Sequence, residues 1–340
     1  MVADVAPGNP LLDLPTVPAD LERVEVALRA SVRADDPFLT EIASHLITAG
    51  GKRGRPAFAI GAAATGAAAM APVSDDVVQG AVSVELVHLG SLYHDDVMDE
   101  ARTRRTVESV NARWGNLQAI LAGDFLLARA SEIAASLGTE VAGLLAATIS
   151  KLCEGQIREL QHTYDVDRTE AAYLASITGK TASLYASACR IGAIVAGLSR
   201  ADIDALTRFG RAYGMAFQIV DDILDVCASD AQLGKPAGHD LIEGVYTLPV
   251  IRTLGEDNAG AKRLRDLLGT PLAETEMHDA RTIVRSNGSV ASSLATAQAY
   301  VAEAAEAVAD LGPSDARQGL VGAADHLLVA TRDIVATAAA

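Results

Sequence analysis

The chain has 340 residues, half of them hydrophobic and only 4% aromatic, with a formal net charge of −16. Such acidity argues against nucleic acid as a partner and against electrostatic docking on anionic lipid. Cys153, Cys189 and Cys227 are odd in number and lack C-x-x-C spacing, which fits a reducing compartment, no zinc site and three buried small side chains.

No basic start followed by an apolar run opens the chain, which points away from secretion and toward the cytoplasm. Residues 1–19 carry Pro7, Pro10, Pro15 and Pro18 and read as a flexible N-terminal arm ahead of one helical domain over 20–340. A first helix is expected over 20–33. Gly50 and Gly51 break the chain before Lys52, and Pro56 suits the first turn of the next helix. The apolar stretch 57–71 is short and rich in Ala and Gly, so a buried helix is expected there and not a membrane span. Residues 73–235 contain no proline. Helices are expected over about 75–100, 112–136, 139–164, 169–196, 201–228 and 240–255, with 229–239 as a loop. No alternating strand pattern of useful length and no solenoid repeat is visible. An all-α architecture follows, and the abundant alanine suits closely packed helices.

Two D-D-x-x-D boxes lie in these apolar helices: Asp95, Asp96 and Asp99, then Asp221, Asp222 and Asp225. Positions i and i+4 share a helix face, so Asp95 and Asp99 project together, as do Asp221 and Asp225. Two unit charges about 5 Å apart at an effective dielectric of about 20 repel by roughly 3 kcal/mol. A cation must sit among such groups. Hard oxygen donors with no Cys nearby and no His at ligand spacing suit Mg²⁺, which completes its shell with water and substrate phosphates. The boxes therefore imply a phosphate-bearing substrate.

The basic residues fit that reading. Lys52 and Arg55 lie in a glycine-flanked basic turn whose side chains and N–H groups suit a diphosphate; an ordinary solvated turn is the plainer alternative. Arg102, Arg104 and Arg105 follow the first box, where local salt bridges to Asp99 and Glu100 compete with phosphate binding. His88 stands seven residues before Asp95 on the same face, a place where a satisfied core histidine is common. Lys180 and Thr181 interrupt a weakly charged helix, Gln218 precedes Asp221 by about one turn, and Lys235 follows the second box.

In this order the features resemble the trans-polyprenyl diphosphate synthase family, which spans farnesyl, geranylgeranyl and long-chain polyprenyl diphosphate synthases. The resemblance runs from about Gly50 to Pro249 and is carried by GGKRGRP, VHLGSLYHDDVMDEARTRR, NARWGNLQAILAGDFLL, GKTASL, FQIVDDILD and GVYTLP. It implies an all-α, single-domain isoprenoid-synthase bundle of about ten or more mostly antiparallel helices around a deep central cavity. It also implies a homodimer that condenses isopentenyl diphosphate head-to-tail with an allylic diphosphate primer and releases pyrophosphate.

By the same resemblance, three Mg²⁺ ions would be held by Asp95 and Asp99 on one side and Asp221 on the other. Asp96, Asp222 and Asp225 would bind through water or orient that shell. Arg104, Lys180, Thr181, Gln218 and Lys235 would face the allylic diphosphate; Lys52, Arg55, His88 and Arg105 would hold the isopentenyl diphosphate. Gly54, Thr106, Glu108 and Val245 depart from the family pattern, which has a bulky apolar residue, Gly, Pro and often Lys there.

Short-chain relatives carry an aromatic plug five residues before the first aspartate. Gly90 and then Ser91 stand there in this chain, so a product beyond fifteen carbons is expected, and a long chain before a short one. A deeper floor at Phe125, Leu126 or a partner subunit would give the twenty-carbon geranylgeranyl product. A class I terpene cyclase, or a regulatory subunit of a heteromeric synthase, fits less well because both boxes are intact. The oily product implies transient delivery at a membrane surface without an anchor.

Overall fold

A computed structural model describes residues 8–67, 71–233 and 237–338. The chain runs α1 (Val17–Ser31), α2 (Pro37–Thr48), α3 (Gly54–Ala64) and α4 (Asp75–Met98), then a ribbon of β1 (Thr103–Arg104) and β2 (Val107–Glu108). Next come α5 (Val110–Trp114), α6 (Asn116–Ser136), α7 (Thr139–Leu160), α8 (Glu170–Ile177), a π-helical turn (Thr178–Ala182), α9 (Ser183–Val195) and α10 (Arg200–Cys227). The remainder is α11 (Asp230–Leu233), α12 (His239–Ile242), α13 (Leu248–Leu254), α14 (Ala259–Leu267), α15 (Glu274–Arg285), α16 (Ser289–Ala307) and α17 (Asp315–Ala338). The all-α expectation holds. Among the described residues no helix is long and apolar enough to cross a membrane.

The long helices α4 and α10 carry the two aspartate boxes at their C-terminal ends. Each starts on a serine whose hydroxyl satisfies a free backbone N–H: Ser74 accepts from Val77 and Ser199 from Asp202. Helix α4 is buried on most sides, as a helix apolar all round must be, while α10 keeps a charged, solvent-facing side in its first half at Asp204, Arg208 and Arg211. Helix α4 packs on α6, α3 and α9, while α10 packs on α9 and α16. Aromatic side chains are few, and several are spent in one place: Phe58, Tyr185, Phe209, Tyr213 and Phe217 join α3, α9 and α10, with Phe58 and Tyr213 at 4.1 Å between centroids.

Several expectations need correction. From residue 8 onward the expected arm is docked: Leu11, Leu14 and Val17 are buried, and Leu11 lies against Gly61. Apolar side chains between the prolines supply the contact that proline content alone conceals. Residues 1–7 lie outside the described residues. The helix expected over 240–255 is two helices, because Gly244 takes a left-handed φ of 74° and the Val245 N–H turns back to the Asp240 carbonyl. The helix expected from 112 starts at Asn116, since Gly115 (φ 95°) separates it from α5. Helix α3 stops at Ala64 within the stretch 57–71, and the loop expected over 229–239 contains α11. Cys153 is exposed on α7, whereas Cys189 and Cys227 are buried.

The aromatic cluster generates a stability prediction. Phe58→Ala removes a ring 1% exposed that touches three others. Denaturant unfolding should show a loss of about 3–5 kcal/mol.

Candidate active site

Helix α4 ends at the first box. Asp96 is fully buried, and Arg104 of β1 places both Nε (2.7 Å) and Nη2 (2.6 Å) on its Oδ1. Its other carboxylate oxygen is buried without a partner. Asp95 is half-buried, and Asp99 caps the helix at the rim with its N–H on the Asp95 carbonyl. The β ribbon turns through Arg105 and Thr106, both left-handed at φ 53° and 68°. Such a turn brings Arg104 back over the box, although it normally selects Gly or Asn. Tyr93 faces away, donating to the Ile42 carbonyl at 2.8 Å.

The second box is tied to different partners. Asp222 is buried and accepts from Tyr173 Oη (2.5 Å) and Gln218 Nε2 (2.8 Å). Gln218 Oε1 in turn accepts from Thr181 Oγ1 at 2.7 Å. Asp225 is committed to the backbone: its two oxygens accept the N–H groups of His239 (3.3 Å) and Asp240 (3.2 Å). It thereby fixes the start of α12, which carries Asp240 and Glu243 to the cleft. Asp221 is half-buried beside them. Lys235 lies outside the described residues.

Lys180 stands between the boxes. It sits in the π turn, and its Nζ pairs with Glu159 Oε1 of α7 at 2.6 Å. The pair forms because α7 meets the π turn at two glycines. A Cβ on Gly155 would lie 2.4 Å from the Lys180 backbone nitrogen, and one on Gly179 would lie 2.7 Å from the Lys151 carbonyl oxygen. Burial opposes the Lys180 charge, yet Glu159 and then Asp95 more than offset it and hold the ammonium above the usual lysine range. Lys180, Thr181, Gln218 and Asp222 line one cleft together with Glu159, Arg168, Tyr173, Asp240, Glu243 and Val245.

The basic residues near the turn converge separately. Arg105 Nη1 donates to the carbonyls of Leu46 (3.0 Å) and Gly50, pinning the glycine turn to α2. Arg53, itself left-handed at φ 50°, is buried and pairs with Glu25 and Glu85. Arg55 lies 4.8 Å over the Tyr185 ring with its Nε buried and unpartnered, while Lys52 is exposed. His88 is pushed well below the usual imidazole range, first by burial and then by Arg55, Arg105, Arg104 and Arg53, so it is neutral at pH 7. Lys52 apart, the expected isopentenyl-site residues therefore form one cationic cluster around the buried His88. Gly90 points at α6: a Cβ there would meet the Gly123 carbonyl at 3.1 Å and Leu127 at 3.2 Å. Ser91 turns its hydroxyl to the His88 carbonyl at 2.8 Å.

Sequence reasoning missed Glu159, Glu243, Asp240, Arg168, Tyr173 and the Glu25–Arg53–Glu85 network. Glu85 left a signal, as a lone carboxylate inside an apolar helix that must find a partner. The others look like surface residues or plain helix residues until the chain folds.

The donor set suits a hard divalent cation. Burial is the leading cause that raises Asp95 and Asp96 above the ordinary carboxylate range, with Lys180 and Arg104 respectively pulling back. It pushes Asp99 up to about 6, helped by Glu243, and Asp222 up to about 7. These carboxylates lack enough positive charge, and a hard divalent cation is what they fit. Among the described residues no three acidic or imidazole groups already converge as a cage. Water and substrate phosphates would complete such a shell.

The chain matches the polyprenyl synthetase family over residues 36–285 and belongs to it. It is 40% identical to the nonaprenyl diphosphate synthase of Mycobacterium tuberculosis over 91% of this chain and 92% of that one. The solved polyprenyl synthase of Caulobacter crescentus, complexed with calcium and isoprenyl diphosphate, superposes with a TM-score of 0.87 at 32% identity, covering 94% and 96% of the two chains. A geranylgeranyl pyrophosphate synthase of Corynebacterium glutamicum, also complexed with calcium and isoprenyl diphosphate, gives 0.81 at 38% identity over 94% and 96%. The chain is thus a prenyltransferase of the polyprenyl diphosphate synthase type.

The ribbon turn makes a prediction. A β-branched residue at φ 68° carries a steric cost that glycine escapes. Thr106→Gly should raise the unfolding free energy by about 1 kcal/mol in a denaturant titration.

Proposed function

We propose that the protein condenses isopentenyl diphosphate head-to-tail with an allylic diphosphate primer, giving a longer all-trans polyprenyl diphosphate and pyrophosphate. The observation that carries this reading is the division of charge. Asp222 of the second box borders a cleft also lined by Lys180, Thr181 and Gln218, and Asp99 of the first borders the adjoining cleft beside Lys180, while His88 lies within electrostatic reach of Arg55, Arg105, Arg104 and Arg53 in a separate cationic cluster. Two substrates with two diphosphates need two such places.

Asp95, Asp99 and Asp221 would hold Mg²⁺, with Asp96, Asp222 and Asp225 orienting the shell. Bound metal supplies neutralising charge where the allylic C–O bond breaks and charge grows on the leaving pyrophosphate. Lys180, Thr181, Gln218, Lys235 and Arg104 bind that diphosphate and keep it in place. Lys52, Arg55, His88 and Arg105 fix the isopentenyl diphosphate so that its double bond faces the allylic carbon. Buried walls such as Ile177 exclude water from the carbocation. No side-chain base stands at a motif position, so the departing pyrophosphate takes the proton.

The enzyme works in the cytoplasm as a homodimer, with a second copy covering Leu117, Leu121, Ile157 and Leu160, which α6 and α7 leave exposed. Its oily product is handed over at a membrane surface. The product exceeds fifteen carbons, because Gly90 and Ser91 place no bulk below the first box. Leu127, facing Gly90 from α6, favours one second reading, a floor that stops growth at twenty carbons.

Two experiments test this. The double variant Asp95→Ala/Asp221→Ala, or chelation of the wild type, should cut condensation by at least about 100-fold; unchanged turnover in either case excludes the mechanism. Chromatography of products from a farnesyl primer should show chains beyond fifteen carbons, and Leu127→Phe should shift them shorter. Growth that stops at fifteen in the wild type, or lengths that ignore Leu127, would remove the chain-length proposal.

A further inference from the structure

Three arginines are buried among the described residues: Arg53, Arg168 and Arg281. Arg53 is neutralised by Glu25 and Glu85. Arg281 donates to the carbonyls of Val226 (3.0 Å) and Ala228 (2.7 Å), at the C-terminal end of α10, where the helix dipole favours a cation. Arg168 has neither kind of partner. It is 4% exposed and donates from Nη1 to the Tyr246 carbonyl (3.0 Å) and from Nη2 to Ser176 Oγ (3.1 Å), both neutral groups. Its Nε is buried with no acceptor at all. The guanidinium leans on the Tyr173 ring at 5.6 Å, which fixes its plane.

Arg168 lines the same cleft as Lys180, Thr181, Gln218 and Asp222, and Val245 lines it too. The acids within electrostatic reach, Glu159, Asp222 and Asp165, favour its charge but hydrogen-bond elsewhere, Glu159 to Lys180, Asp222 to Tyr173 and Gln218, and Asp165 to His162. Burial outweighs their pull on Arg168, so a buried cation with no direct ion pair is left to gain from an anion that arrives. We infer that Arg168 is a phosphate-binding residue of the allylic site, supplying the cation that Val245 does not. Its two neutral hydrogen bonds hold the planar fork in place, and an incoming diphosphate oxygen is the missing acceptor. Resting on the proposed reaction, the inference adds a residue that none of the sequence motifs contains.

The test uses full-length enzyme, inorganic pyrophosphate with Mg²⁺ as the probe, and steady-state kinetics. Arg168→Met should fold, weaken pyrophosphate binding by about tenfold or more, and raise KM for the allylic primer by a similar factor. KM for isopentenyl diphosphate should stay within about twofold, and adding Val245→Lys to Arg168→Met should recover much of the lost pyrophosphate affinity. Unchanged pyrophosphate affinity in folded Arg168→Met overturns the inference. So does an equal rise in both KM values with a lowered melting temperature, the signature of a side chain that only staples residue 246 to α8. Should Arg168→Met fail to fold, Arg168→Lys decides: it keeps the charge but loses the planar fork, so pyrophosphate affinity should fall by about threefold or more, and unchanged affinity sinks the idea. Wild-type enzyme that binds pyrophosphate but condenses nothing would refute the proposed reaction while leaving the Arg168 comparison intact.

Discussion

Placing Lys180 between two acidic helices is the constraint on which the rest of the structure depends. Asp95, Asp99, Glu159, Asp222 and Glu243 gather within electrostatic reach of one another, and burial already penalises several of them. One ammonium, tied to Glu159 and felt by Asp95 and Asp99, keeps that ensemble compatible with a folded state. Its position needs a close approach of two helices, which Gly155 and Gly179 permit. It also needs the π turn, which inserts an extra residue and re-aims Lys180 and Thr181 without ending the helix. Such turns recur at functional sites for this reason.

The second cluster obeys the opposite sign. Arg53, Arg55, Arg104 and Arg105 act on His88, and buried Glu85 with partly exposed Glu25 supplies the counter-charge. This balance keeps the cluster cationic without unfolding it, and it keeps His88 uncharged. A neutral imidazole can donate one hydrogen bond and accept another, and it adds no further repulsion. Arg104 joins the two regions, since it pairs with Asp96 of the first box while acting on His88. The acidic and the cationic cluster thus meet along one short ribbon.

Much of this was legible in the sequence where physics is local. The proline-free span announced the helices, and the D-D-x-x-D spacing announced shared faces. Features set by distant partners were hidden. Glu159 finds Lys180 across 21 positions, and Asp225 caps a turn 14 and 15 residues later. The ribbon escaped notice because Arg105 and Thr106 are not the residues that such a turn prefers. Prolines near the start suggested an arm, yet Leu11 and Leu14 between them find a groove. Arg168, flanked by Asp167 and Thr169, reads as an ordinary surface residue until burial is known.

The same separation explains why the chemistry is easier to read than the product. Breaking and forming bonds involves only the diphosphate end, where charge demands many matched residues and leaves a dense signature. The growing tail is hydrocarbon, and every apolar wall suits it about equally. One methylene more or less changes binding by only about 1–3 kcal/mol, so length is governed by where a wall stands and not by attraction along it. A wall can be a single side chain. In this chain the Gly123 carbonyl and Leu127 of α6 lie where a Cβ on Gly90 would point, so α4 and α6 pack closely below the first box. Under the proposed function, a few atoms there would change the product while the machinery above stays the same.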